Sequence, residues 1–325
     1  MAAAVGLTVA LASGRPAHKR VPRLASSQVA QQPPRAQQPS SFAVGIRVLR
    51  LVDATRTVQL PDGQSEPRTL ETYVRYPALG PTSRTDVPDA PAARAEGPFP
   101  LVIFGHGFGV TPGLYAHLLQ AWARAGYVVA APVFPLENAN APGGPDESDL
   151  TNQPADMRFV ITRLLAASGA RAGPLAGLID PTRIAVTGHS DGGDTALAVS
   201  YNRYLRDPRI GAVIILSGAE IPGMAGFSFP AGSPPLLATQ GTADTVNPPS
   251  ATNTFFEPAQ RPKYLLSLLA AEHLPPYSDQ QPQLTIVERV TVAFLDGYLK
   301  HRPEALRRLP ALGRVPGTAT MLADP

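Results

Sequence analysis

The sequence contains no cysteine, which excludes disulfides, thiolate metal sites and a cysteine nucleophile. Lysine is nearly absent as well. Lys19, Lys263 and Lys300 are the only three, with arginine taking their place, a bias we assign to coding and not to chemistry. Charged residues make up only 16% of the chain against 44% hydrophobic, a balance that fills a core and rules out global disorder. No apolar run reaches the roughly 20 residues a membrane-spanning helix needs. The nearest approach, MAAAVGLTVALASG at residues 1–14, is too short to span but has the length and the small residues (Ala10, Ala12) of a cleaved export signal. It lacks the basic start of such signals. Secretion is expected, with a disordered Ala-rich leader on a cytoplasmic protein as the alternative. Internal repeats are also missing.

The net charge of +3 is unevenly placed. Arg15, Lys19, Arg20, Arg23 and Arg35 stand in residues 1–40, where there is no acid, so the remainder carries −2. A body without a basic face argues against nucleic acid as a partner. What is abundant is proline and glycine, 37 and 28 residues, one position in five, so loops are many and stiff.

Residues 183–193 read RIAVTGHSDGG. A short Ile/Val-rich run entering G-x-S-x-G predicts a buried strand, a turn too sharp for side chains at Gly188 and Gly192, and a helix beyond it. Such a turn lifts Ser190 Oγ above the sheet. The alternative is a tight glycine turn holding an ordinary serine. The following helix is expected over residues 194–206, with Asp191 and Asp194 near its positive end.

Around this stretch the chain divides into residues 1–40, a signal-peptide remnant and disordered linker; 41–302, one folded domain; and 303–325, a tail with a short helix and a loose end. Residues 42–52 and 70–76 predict an antiparallel pair joined by a Pro61-Asp62-Gly63 turn. Residues 99–104 predict a central parallel strand, 114–125 a helix, 127–134 a strand and 156–167 an amphipathic helix. Later strands are expected at 210–216, 236–239 and 264–269, and a last helix at 284–300. Residues 135–151 read as a solvated loop, because their oxygen-rich residues lack EF-hand spacing. Strands alternating with helices make the fold class α/β: a mostly parallel, doubly wound sheet flanked by helices, without a large cap domain. Loops following the strands gather at one edge.

A serine at that edge needs a base, and the base needs an acid to orient it. Of six histidines, His18 lies in the tail and His117 in a helix. His189 adjoins the serine with its ring directed elsewhere, His106 suits holding a glycine-rich loop, and His301 ends a helix. His273 directly follows the last strand and is the candidate base, loop packing being its alternative role. Asp244 follows the strand before it and is the candidate acid, an Asx-turn being its alternative. The oxyanion donors expected of this turn type are the backbone N–H groups of Phe108, after the strand at 99–104, and Asp191. Phe108, Phe134, Phe227, Phe229 and Tyr277 are candidates for an apolar cleft.

The segments FGHGF (104–108), GHSDGG (188–193), GTAD (241–244) and EHL (272–274) together resemble the α/β-hydrolase superfamily in order and approximate spacing. The resemblance covers residues 42–302. It is nearest to the branch of dienelactone-hydrolase-like esterases, chlorophyllase-like enzymes, platelet-activating-factor acetylhydrolases and cutinase-like polyester hydrolases. It implies a Ser190–His273–Asp244 triad with Phe108 and Asp191 as oxyanion donors, no cofactor and no metal. The implied activity is hydrolysis of a small or lipid-like carboxylic ester, with polyester or phospholipid acetyl hydrolysis, or a non-catalytic binding module, as alternatives. Asp191 stands where polyester hydrolases usually have methionine, and the thiol of dienelactone hydrolases is missing.

Overall fold

The computed structural model describes residues 1–4, 6 and 41–325. The expected leader and linker fall almost wholly outside these residues. The folded unit begins with a long hairpin, β1 (Ala43–Gln59) and β2 (Ser65–Ala78), paired antiparallel from Ala43 opposite Ala78 to Gln59 opposite Ser65. Gly63, at a φ of 84°, closes the expected turn. A two-residue strand, β3 (Val87–Pro88), lies along β1 at the sheet margin.

β4 (Phe99–Gly105) is buried at every position, because parallel neighbours flank it and helices cover both of its faces. Leu101 and Ile103 point to one side, against Met157, Val160 and Ile161 of α2 (Gln153–Gly169) and Ala196 and Leu197 of α3 (Asp191–Tyr201). Val102 and Phe104 point to the other, against Leu118 and Trp122 of α1 (Ala116–Arg124) and Val290 and Phe294 of α6 (Gln283–Leu299). This period-two division of one strand between two cores sets the layers.

The remaining strands are β5 (Val128–Pro132), β6 (Ile179–His189), β7 (Ile210–Leu216), β8 (Leu236–Gly241), β9 (Lys263–Leu268) and β10 (Ala319–Asp324). Among the described residues they form a ten-stranded sheet in the order β10-β9-β8-β7-β6-β4-β5-β2-β1-β3. β5, β4, β6, β7, β8 and β9 run parallel. β4 leads to α1 on one face, and its neighbour β6 leads to α3 on the other. A crevice forms where adjacent strands send their chains to opposite faces, at the carboxyl ends. Residues 106–110 and Ser190 leave the sheet there.

Three expectations need correction. The helix after Ser190 begins at Asp191 and ends at Tyr201, not at residues 194 and 206. A short helix, α4 (Pro249–Phe256), buries Phe255 and Phe256 where no element was expected. The C-terminal residues 303–325 are no tail. After α7 (Pro303–Gly313), β10 pairs antiparallel with β9, from Ala319 opposite Leu268 to Asp324 opposite Lys263, burying Ala319 and Met321. Six residues are too few to show alternation above the background, and β9 supplies the template. Among the described residues no helix or strand is inserted between β7 and β8. No helix among the described residues is long and apolar enough to cross a membrane.

Candidate active site

The glycines of G-x-S-x-G are demanded by space. A Cβ on Gly188 would lie 2.0 Å from the Gly192 carbonyl oxygen, and one on Gly192 would lie 2.2 Å from the backbone of Gly105. Between them Ser190 takes φ 53° and ψ −126°, a left-handed backbone that a residue with a side chain adopts only where its surroundings enforce it. The Ser190 N–H donates to Leu216 O at 3.0 Å, and its carbonyl accepts from Asp194 N at 2.9 Å. α3 therefore starts at once, with Asp191 as its first residue. Ser190 is largely buried, and its Oγ has no hydrogen-bond partner within the described residues.

Asp244 and His273 come together across 29 residues. His273 Nδ1 donates to Asp244 Oδ2 at 2.8 Å, which leaves Nε2 with its lone pair free. Asp244 Oδ1 accepts from Val246 N and Asn247 N, both at 2.9 Å. Asp244 thus makes both contacts at once: the Asx-turn occupies one oxygen and the imidazole the other. Burial works to raise the Asp244 carboxyl, but the His273 hydrogen bond and charge and the two N–H donors outweigh it and hold it below the usual carboxylate range. The His273 loop is fixed from beneath by Tyr277 of the one-turn helix α5 (Pro275–Ser278), whose hydroxyl bonds Ser217 Oγ at 2.9 Å and Thr239 O at 3.2 Å.

His189 does not merely point away from the serine. Its ring is buried 4.6 Å from that of His273, centroid to centroid, and Nε2–H donates to the His273 carbonyl at 2.9 Å. Nδ1 accepts from the Tyr115 hydroxyl at 2.8 Å, and that hydroxyl accepts from Gly107 N at 3.4 Å. Burial, then the charge of His273, lower His189 to about 3, so it serves as a neutral connector between the glycine-rich loop and the His273 loop. His106 holds that first loop, as expected. Nδ1–H donates to Gly107 O at 2.8 Å, Nε2 accepts from Phe134 N at 3.0 Å, and burial lowers the ring to about 4.

Gly107 brings the loop against the serine: a Cβ there would lie 3.1 Å from Ser190 Cβ. Neither Phe108 N–H nor Asp191 N–H has an acceptor among the described residues. The Phe108 side chain is 45% exposed. The other aromatic candidates for a cleft go elsewhere. Phe134 and Tyr277 are fully buried, Phe227 packs against Leu150, Ala198 and Ile221, and Phe229 packs on Tyr201 at 4.9 Å between ring centroids.

Residues 135–151 are not simply solvated. Glu137 and Asp149, like Asp156 beyond them in α2, are buried. Arg68 of β2 makes paired hydrogen bonds to Asp149 at 2.8 and 2.7 Å and to Asp156 at 2.7 and 2.6 Å. Sequence reasoning missed Arg68, because partners 81 and 88 residues away leave no local pattern, and missed Glu137 for the same reason, its neighbours Gly109 and Asp191 being distant in the chain. Among the described residues no group of three or more histidine or acidic side chains is arranged to hold a metal ion.

Solved structures include a ferulic acid esterase from Streptomyces cinnamoneus that superimposes with a TM-score of 0.64 over 86% of this chain and 96% of its own, at 23% identity. The chain has the α/β-hydrolase fold. Residues 90–219 match the model of the chlorophyllase family. That segment includes Phe108, Glu137, Ser190 and Asp191, and stops short of Asp244 and His273. No curated protein matches the sequence.

Proposed function

We propose that this α/β-hydrolase is a serine carboxylic-ester hydrolase working through an acyl-enzyme. The observation that carries the reading is the 2.8 Å hydrogen bond from His273 Nδ1–H to Asp244, on loops at the same sheet edge as a serine held in a left-handed turn. Asp244 fixes the imidazole tautomer, so His273 Nε2 takes the Ser190 proton as Oγ bonds to the ester carbonyl carbon. The carbonyl oxygen becomes an oxyanion and receives the N–H groups of Phe108 and Asp191. The intermediate collapses by breaking the bond to the alcohol oxygen, which leaves with the proton from His273. Water, deprotonated by the same nitrogen, then adds to the acyl-enzyme and releases the acid and Ser190.

The similarity to the chlorophyllase family and to a ferulic acid esterase supports an ester as substrate. Phe108, Leu114 and Val246 are exposed apolar side chains on the segments following β4 and β8, and they favour a small or lipid-like acyl group. Polyester and phospholipid acetyl hydrolysis use the same chemistry and stand as alternatives. A binding module without turnover is the remaining alternative. Export belongs to the proposal through residues 1–14 alone.

The test is turnover of p-nitrophenyl esters of increasing acyl length, with fluorophosphonate labelling, on the wild type and Ser190→Ala. The wild type should label at Ser190, and the variant should lose labelling and at least about 10⁴ in kcat. Wild-type protein that refuses the probe, or a variant as active as the wild type, would end the serine reading.

A further inference from the structure

Three strands of evidence converge on Glu137. First, the loop after β5 is fastened to the loop after β4 at three points: Phe134 N to His106 Nε2 at 3.0 Å, Gly109 N to Glu137 O at 2.9 Å, and Ala139 N to Val110 O at 3.3 Å. The backbone of Glu137 thus holds the residue next to Phe108. Second, the Glu137 side chain is 0% exposed, and neither carboxyl oxygen meets a donor. Third, it lies within hydrogen-bonding reach of the Asp191 carboxyl, whose buried Oδ2 also lacks a donor. One residue therefore touches both segments that carry the proposed oxyanion donors.

The groups facing this pair are themselves acidic. Asp149 and Glu147 come from the 3-10 turn at Glu147–Asn152 and Asp194 from α3, while His106 faces Asp191 from the loop after β4. Burial lowers His106, so it brings no charge near neutral pH. The Arg68 guanidinium is committed to Asp149 and Asp156. No salt bridge among the described residues reaches Glu137, Asp191 or Asp194. Two ionised carboxylates in contact, dry and without a cation, repel each other. With one proton between them they form a charge-assisted hydrogen bond.

We propose that Glu137 and Asp191 share a single proton, and that this shared proton sets the spacing of the Phe108 and Asp191 N–H groups around the oxyanion, making Glu137 a positioning residue. The proposal rests on the serine-hydrolase reading. Burial, then the hydrogen bond and charge of Asp191, push the Glu137 carboxyl up to about 10. The pair keeps its proton below that pH and loses it above. The donors then part, and turnover falls while the protein stays folded.

The test follows hydrolysis of a short alkyl ester by pH-stat titration between pH 7 and 10.5, with melting curves at each pH, for the wild type, Glu137→Gln and Glu137→Ala. At pH 7 Glu137→Ala should lose about tenfold or more in kcat with KM little changed, a loss on the scale of one weakened oxyanion donor. Glu137→Gln should restore most of it, because an amide N–H donates to Asp191 at any pH. The wild-type kcat should fall about fourfold by pH 10.5, the loss expected of a group that titrates near 10, while Glu137→Gln stays level over the same range.

The proposal is overturned if Glu137→Gln is as impaired as Glu137→Ala at pH 7, or follows the wild-type alkaline limb. It also fails if a divalent cation restores the wild type after chelation, since a cation then replaces the proton. Should Glu137→Ala not fold, the two pH profiles decide alone; should Glu137→Gln not fold, Asp191→Asn must lose the alkaline limb whatever its rate at pH 7. Fluorophosphonate labelling of the wild type at pH 7 keeps the two readings apart. Failure to label sinks the serine hydrolase, whereas full labelling with coincident limbs sinks only the shared proton.

Discussion

Two groups of buried acids lie on one stretch of chain and on the helix that follows Ser190, and they are treated in opposite ways. Asp149 and Asp156 face Arg68, and Asp156 also accepts from Arg56 at 2.7 Å, which in turn holds Asp53 at 2.7 Å. Glu137, Asp191 and Asp194 have no cation among the described residues. The first group clamps the β1–β2 hairpin onto α2, far along the chain from the serine. The second surrounds the first turn of α3, where an added guanidinium would bind any developing anion before the backbone N–H groups could. The contrast shows neutralisation where the fold needs fixing, and charge held by protons and N–H groups where a reaction is proposed.

That contrast predicts rate losses at one group and stability losses at the other. The largest effect should come from Asp244→Asn, which reverses the tautomer of His273: kcat should fall by about 10⁴ with the melting temperature nearly unchanged, measured by steady-state kinetics and calorimetry. Arg68→Met should do the opposite. Leaving Asp149 buried without a cation, and Asp156 with Arg56 alone, costs about 3–5 kcal/mol in denaturant titration, while kcat per folded molecule stays within a few-fold.

A smaller effect concerns pH. Because the Glu137 carboxyl is raised from 4.5 to about 10, the folded chain binds a proton that the unfolded chain has released, and stability declines as pH climbs through that window. Glu137→Gln should remove a slope of at most about 1.4 kcal/mol per pH unit, visible as a flatter dependence of unfolding free energy between pH 5 and 9. The smallest change belongs to an exposed pair. Arg261→Ala breaks a 2.6 Å contact to Asp324 in which the arginine side chain is 72% exposed, and it should alter stability by less than about 1 kcal/mol and kcat not at all. A large loss there would blur the distinction between buried and open ion pairs.

Much of the fold was legible because it is written locally. β4 reads as an unbroken apolar run since both its faces are covered, and Gly188 and Gly192 announce a turn whose backbones approach within 2.2 Å of where a Cβ would be. Asp244 and His273 could be singled out because each directly follows a strand, and strand ends converge. What stayed hidden depends on distant partners. Glu137 looks like any loop glutamate until Gly109 and Asp191 are placed beside it, and Arg68 sits in an otherwise ordinary hairpin strand. His189 could not be interpreted before Tyr115 and His273 O were known to be its neighbours. Phe134 and Tyr277, as single aromatics, suit a core more readily than a cleft, and burial places both in the core.

The closing strand has a consequence for handling the protein. β10 shields one flank of β9, with Ala319 and Met321 turned inward and Leu322 outward. Clipping the last seven residues would bare a row of unbonded amides on β9 and uncover apolar surface behind it, an invitation to stack copies edge to edge. Proteolysis at that end should therefore turn a clear solution cloudy before it silences any remaining activity.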